Sequence, residues 1–76
     1  MSADDVVRMA NQIASFFAPY PQDEAIAGVV DHMEKFWPPS QRKGLLAVVH
    51  GIMTSDRELH PLAHHAALRL ARQVDE

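Results

Sequence analysis

The stretch PQDEAIAGVVDHMEKFWPP, residues 21–39, decides the fold. Its large apolar residues are Ile26, Val29, Val30, Met33, Phe36 and Trp37, recurring at i, i+3, i+4, i+7, i+10 and i+11. That is the repeat of one face of an α-helix, not the alternation of a strand. Proline closes the stretch at both ends. Pro21 is tolerated in a first helical turn, and Asp23 and Glu24 carry the charge that a helix N-terminus favours. Pro38 and Pro39 cannot continue the hydrogen-bond ladder. The spacing predicts a helix over 22–37. Gly28 inside it costs about 1 kcal/mol relative to alanine, so it marks either close packing against another backbone or simple tolerance.

The same period extends in both directions. Upstream, Val6, Met9, Ala10, Ile13, Phe16 and Phe17 share one side of a helix predicted over 4–17, opened by Asp4 and Asp5 and ended by Pro19. With Val7 and Ala14 the apolar arc is roughly 180° wide, beyond the roughly 100° that a surface helix needs. Downstream, Ser40 is a candidate N-cap for a third helix over 40–53, whose Leu45, Leu46, Val48, Val49, Ile52 and Met53 span an arc of roughly 160°. Gly51 and the Thr54-Ser55-Asp56 tract mark its end. A fourth helix over 60–72 has Pro61 in its first turn, an alanine-rich face, and Arg69 and Arg72 near the favourable C-terminal end. Three to four helices with short loops, in one domain over 1–76, predict a small all-α bundle.

Composition limits what such a bundle can do. A chain of 76 residues and 8.5 kDa buries only about 60% of its unfolded surface, and such domains are marginal without a disulfide, a metal or a partner. There is no cysteine, which removes disulfides, thiolate metal sites and a cysteine nucleophile. The net charge is −3, with +2 confined to residues 40–53, and no basic stripe exists to neutralise phosphates. Nucleic-acid binding is therefore not expected. No apolar run approaches the roughly 18 residues of a membrane span, and Met-Ser-Ala-Asp-Asp lacks a signal peptide's basic start. The expectation is a cytoplasmic chain.

Catalytic patterns are missing. Neither Ser40 nor Ser55 sits in a glycine-framed nucleophile elbow, and three separated glycines make no phosphate-cradling loop. His60, His64 and His65 are the candidates for a metal. His60 and His64 have the i, i+4 spacing that places two imidazoles on one helical face, and Asp56 or Glu58 could add an oxygen. Solvated or partner-facing histidines are the plainer account, so no metal site is expected. His32 and His50 read as hydrogen-bonded boundary histidines.

What remains is surplus apolar surface. Phe16, Phe17 and Tyr20 gather before Pro21, and Phe36 and Trp37 gather before Pro38. They either staple one end of the bundle or anchor a partner, as aromatic residues and arginine do at binding hot spots. Arg42 and Lys43 follow directly, in a first turn where the helix dipole disfavours positive charge by a few tenths of a kcal/mol. An acidic group on another protein would offset that cost. The residues expected at a partner interface are Met9, Asn11, Gln12, Phe16, Phe17 and Tyr20, then Trp37, Pro38, Pro39, Arg42 and Lys43. Asn11 and Gln12 lie beside the apolar stripe, where their amides could satisfy partner backbone. The same surplus makes self-association of the isolated chain possible.

Several of these residues also carry a family resemblance. Met9-Ala10-Asn11-Gln12-Ile13 with Phe16-Phe17, then Ala25, His32, Phe36-Trp37, Pro39, Arg42, Leu45-Leu46, Leu59-His60-Pro61-Leu62 and Ala66, form a pattern covering roughly residues 6–68. It resembles the delta subunit of cytosolic NAD-dependent formate dehydrogenase. One position departs: Gln41 stands where the family usually has methionine. The resemblance implies a non-catalytic accessory subunit, docking on a larger subunit such as the catalytic alpha subunit. It would aid assembly or stability of the enzyme that oxidises formate to carbon dioxide. It implies that the partner subunits carry a molybdenum or tungsten pterin, iron–sulfur clusters and FMN, and this chain has no motif for any of them. A transient assembly chaperone and a histidine-dependent metal module are the alternatives.

Overall fold

In a computed structural model, which describes residues 2–74 and side chains through residue 72, the chain forms four α-helices. These are α1 (Ala3–Phe17), α2 (Gln22–Phe36), α3 (Pro39–Val49) and α4 (Pro61–Val74). α1 packs beside α2 and α3, and α4 packs against the same two helices and, across the centre of the bundle, also touches α1. The α1/α2 edge and the α3/α4 edge therefore lie on opposite sides of the bundle.

Local chemistry sets each boundary. Ser2, not Asp4 or Asp5, caps α1, its hydroxyl accepting the Asp5 N–H at 3.2 Å. That frees the Asp4 carboxylate for another task. It accepts from the Ser55 hydroxyl at 2.5 Å and from the Asp56 N–H at 3.2 Å, which fastens the start of α1 to the α3–α4 connection. α3 begins at Pro39 with Pro38 as N-cap, two residues before the expected Ser40 cap and without a side-chain cap bond.

α3 also ends earlier than the apolar pattern indicated, at Val49 and not Met53. Gly51 adopts φ +76°, a conformation that costs a side chain about 1–2 kcal/mol. Around it the Ile52 N–H reaches the Ala47 carbonyl at 2.8 Å and the Gly51 N–H reaches the Val48 carbonyl at 3.1 Å. This paired closure is the Schellman motif, with glycine in the left-handed position. Ile52 consequently leaves the stripe and is 78% exposed. The connection over residues 50–60 is longer than the short loop expected there.

His60 opens α4. Its Nδ1 accepts the Leu62 N–H at 3.1 Å, and its carbonyl accepts the His64 N–H at 3.0 Å. An imidazole thus does what Ser or Asp usually does at an N-cap.

The core is built from Val7, Val29, Met33 and Leu45, all fully buried, with Val6, Ile26, Val30, Leu62 and Leu70 around them. α4 contributes Ala63, Ala66 and Ala67, whose small side chains let its backbone approach α2 closely. Trp37, just past α2 in extended backbone (φ −91°, ψ 131°), turns its indole into this core. Gly28 does mark a close approach, but to a ring and not to backbone. A Cβ there would lie 2.6 Å from Cδ1 and 2.9 Å from Cζ of Phe17.

Candidate partner interface

Aromatic residues form a surface feature at the α1/α2 edge. α1 ends in Phe16 and Phe17, whose rings meet edge-to-face at 5.0 Å, and Tyr20 follows 5.9 Å from Phe17. On α2, His32 and Phe36 are one turn apart with ring centroids at 4.9 Å. Between the two helices runs a shallow groove of about 330 Å³ lined by Gln12, Ile13, Phe16, Phe17 and His32. Its only polar side chains are Gln12 and His32. Phe16 is 69% exposed and Phe36 70%, so most of each ring's area remains in water. Full burial of such a side chain is worth about 1.5–3 kcal/mol, so the two rings together hold roughly 2–4 kcal/mol that the fold leaves uncollected.

The structure separates the expected interface residues into three groups. Gln12, Phe16, Tyr20, Pro38, Pro39 and Lys43 are exposed, while Met9, Phe17 and Arg42 are half-buried. The two remaining residues have internal roles, which corrects the sequence reading for each. Trp37 is 7% exposed and belongs to the core, because the extended residue after α2 directs the indole inward. Asn11 does satisfy backbone groups, but within its own chain. Its Nδ2 donates to the Glu58 carbonyl and its Oδ1 accepts the His60 N–H, both at 2.8 Å.

Two contributors were outside the expected set. The sequence places Phe36 in the aromatic cluster before Pro38 and His32 at the boundary of the apolar stripe. His32 is half-buried and packs against Phe36 with the two ring planes tilted at 45°, while its companion His50 is exposed at the C-cap of α3. The position of Phe36 at the edge of the α2 stripe was the available signal.

The histidine cluster disperses. His60 precedes α4 as its cap, so helical i, i+4 geometry does not carry it onto the face of His64. His64 and His65 are exposed, with rings 6.2 Å apart and nearly perpendicular. Among the described residues no three His, Cys, Asp or Glu side chains gather closely enough to hold a metal ion. No helix among them is long and apolar enough to cross a membrane.

Asp4 is electrostatically perturbed by its hydrogen bonds. The Ser55 hydroxyl and then the Asp56 N–H stabilise its ionised form, with Arg57 adding attraction, and hold its carboxyl below the ordinary 3.8. The role is structural: it secures the loop that Asn11 grips from the other end.

Fold and surface together define a small all-α protein that presents an aromatic groove between two helices. A comparison with protein families then gives the particular one. The family model for the NADH-dependent formate dehydrogenase delta subunit FdsD matches residues 5–67, and the chain belongs to that family. No curated protein and no solved structure matches the chain.

Proposed function

We propose that the chain is a non-catalytic accessory subunit of a cytoplasmic NAD-dependent formate dehydrogenase, docking through the α1/α2 groove on a larger subunit, the catalytic alpha subunit first among them. Docking stabilises the assembled holoenzyme by mass action, because the chain binds the folded partner and not the unfolded one. The molybdenum or tungsten pterin, iron–sulfur clusters and FMN belong to the partner subunits in this reading. Oxidation of formate to carbon dioxide takes place there.

The observation that supports this most is the apolar groove lined by Ile13, Phe16 and Phe17, with Phe16 and, against His32, Phe36 left largely in water, in a chain of the FdsD family. A small domain can expose scattered apolar residues, but an apolar groove with an exposed aromatic ring on its lining has the composition of a binding surface.

The test is co-expression with the larger subunits followed by size-exclusion chromatography. Wild type co-elutes in fixed stoichiometry with the mature enzyme. Phe16→Ser and Phe36→Ser, each on an exposed ring, leave the helical circular-dichroism spectrum unchanged and together weaken association about 30-fold, the equivalent of 2 kcal/mol. Wild type that is present on the immature enzyme and lost on maturation identifies a transient chaperone instead.

A further inference from the structure

The α3/α4 edge, across the bundle from the aromatic groove, carries a second surface of different chemistry. Pro39, Arg42, Lys43, Leu46 and Leu70 line a groove of about 190 Å³. Its walls are apolar and its rim is cationic. Arg42 and Lys43 lie on the first turns of α3, which contain no acidic residue to neutralise them. Among the described residues the ion pairs are Arg8 with Asp5 at 3.8 Å and Lys35 with Asp31 at 3.1 Å, and neither involves this groove. Arg42 is half-buried, and its Nε is sealed from water without a hydrogen-bond partner among the described residues. The chain as a whole is acidic, at −3, so this local positive rim is not a by-product of general composition.

We propose that this groove takes an extended acidic segment of a larger subunit of the same enzyme. An aspartate or glutamate of that segment engages the two terminal nitrogens of the Arg42 guanidinium in the two-pronged geometry that this group favours, since Nε itself is sealed from solvent. Lys43 adds attraction from the rim, and an apolar side chain beside the acid packs between Pro39, Leu46 and Leu70. The carboxylate also relieves the unfavourable placement of two cations near a helix start. A second copy of this chain is the weaker occupant, because an acidic surface of one copy in the groove of the next is a head-to-tail contact that propagates into open filaments unless it closes. The proposal rests on the subunit reading and adds to it. Because the two grooves lie on opposite sides, the partner reaches around the bundle instead of meeting one face.

The experiment uses the co-expressed complex, with retention of the chain measured across NaCl steps from about 0.1 M to 1 M, where the screening length falls from about 10 to 3 Å. Wild type should be released progressively as salt rises. The Arg42→Gln, Lys43→Gln double variant should bind about tenfold more weakly at low salt and lose most of its salt dependence. Lys43→Gln alone, on an exposed side chain, should show a smaller loss in the same direction, and Phe16→Ser should keep the salt dependence while weakening binding. Melting curves of each isolated variant separate folding from docking. If wild type co-elutes and the double variant matches it in affinity and salt profile, this proposal is wrong while the subunit reading stands. If wild type never co-elutes, both fall. An isolated wild-type chain that dimerises at low salt, with the double variant restoring the monomer, assigns the groove to a second copy and overturns the proposal.

Discussion

Asn11→Ala should be among the most damaging substitutions of a polar residue in this protein. Asn11 lies on α1 and holds backbone that is 47 and 49 residues away, through the Glu58 carbonyl and the His60 N–H, each at 2.8 Å. Each hydrogen bond is worth about 1 kcal/mol net, and the part-buried His60 N–H is left without its acceptor, so the cost is about 2–3 kcal/mol. In a domain of this size 1 kcal/mol moves the melting temperature by about 4–8 °C, so a fall of roughly 8–24 °C is expected. Asn11→Asp sharpens the test. It keeps an oxygen for the His60 N–H but turns the donor facing the Glu58 carbonyl into a second acceptor, so it should recover only part of the loss. Circular dichroism at 222 nm during urea unfolding gives the free energies, and hydrogen exchange gives protection at the His60 amide. If Asn11→Ala costs under about 0.5 kcal/mol, or the His60 amide exchanges no faster, the residue does not clamp the loop and the reasoning is refuted.

Three further predictions follow from the same geometry. Trp37→Ala should destabilise the isolated chain by about 3–5 kcal/mol, seen in urea titration, because it empties a core position instead of trimming an interface. Gly28→Ala gains about 1 kcal/mol of helix propensity but drives the Phe17 ring outward, so stability should change little while the Phe17 ring resonances shift; a full gain with an unmoved ring contradicts the contact. The depressed Asp4 carboxyl adds stability above its ordinary pKa of 3.8, and this is lost as pH falls through the lower folded value. Asp4→Asn should therefore reduce stability at neutral pH and flatten its acid-side decline, which melts between pH 7 and pH 2 will show.

Much of the fold was legible because helical periodicity and proline punctuation agree. α1, α2 and α4 lie within two residues of their expected bounds. α3 is shorter than its apolar pattern because Ile52 and Met53 continue the stripe past Gly51, where the positive φ has already turned the chain. The site was harder to read. A sequence gives the phase of each ring on its helix but not the direction of the residue after the helix. Counting about 100° per residue from Ile26, Trp37 lies about 20° from the stripe's reference direction and Phe36 about 80° off it. Phase puts Phe36 at the rim of the stripe, but Trp37 lies beyond α2, and its burial follows from the extended backbone there. The same arithmetic from Val6 puts Phe17 nearer the centre and Phe16 at the edge, as their burial shows. Asn11 was legible only in chemistry: its amide was expected to meet backbone, but which backbone depends on a loop whose course no local pattern specifies.

The level at which α3 begins accounts for the exposed rings. Gln41 reaches the Met9 sulfur at 3.7 Å, and a Cβ on Gly44 would touch a Val6 methyl at 3.4 Å. α3 therefore runs antiparallel along the first half of α1. At 1.5 Å per residue its 11 residues span about 16 Å against about 22 Å for the 15 of α1. Pro38 and Pro39 fix its first turn near the level of Met9, and nothing in α3 extends beyond to cover Ile13, Phe16 and Phe17. Those residues would be buried in a bundle whose third helix started two turns earlier. The prolines prevent that start, since neither can supply the N–H that a longer helix would need at their positions. A wall of the bundle is thus absent where the sequence places its rings, and where we propose that the larger subunit docks.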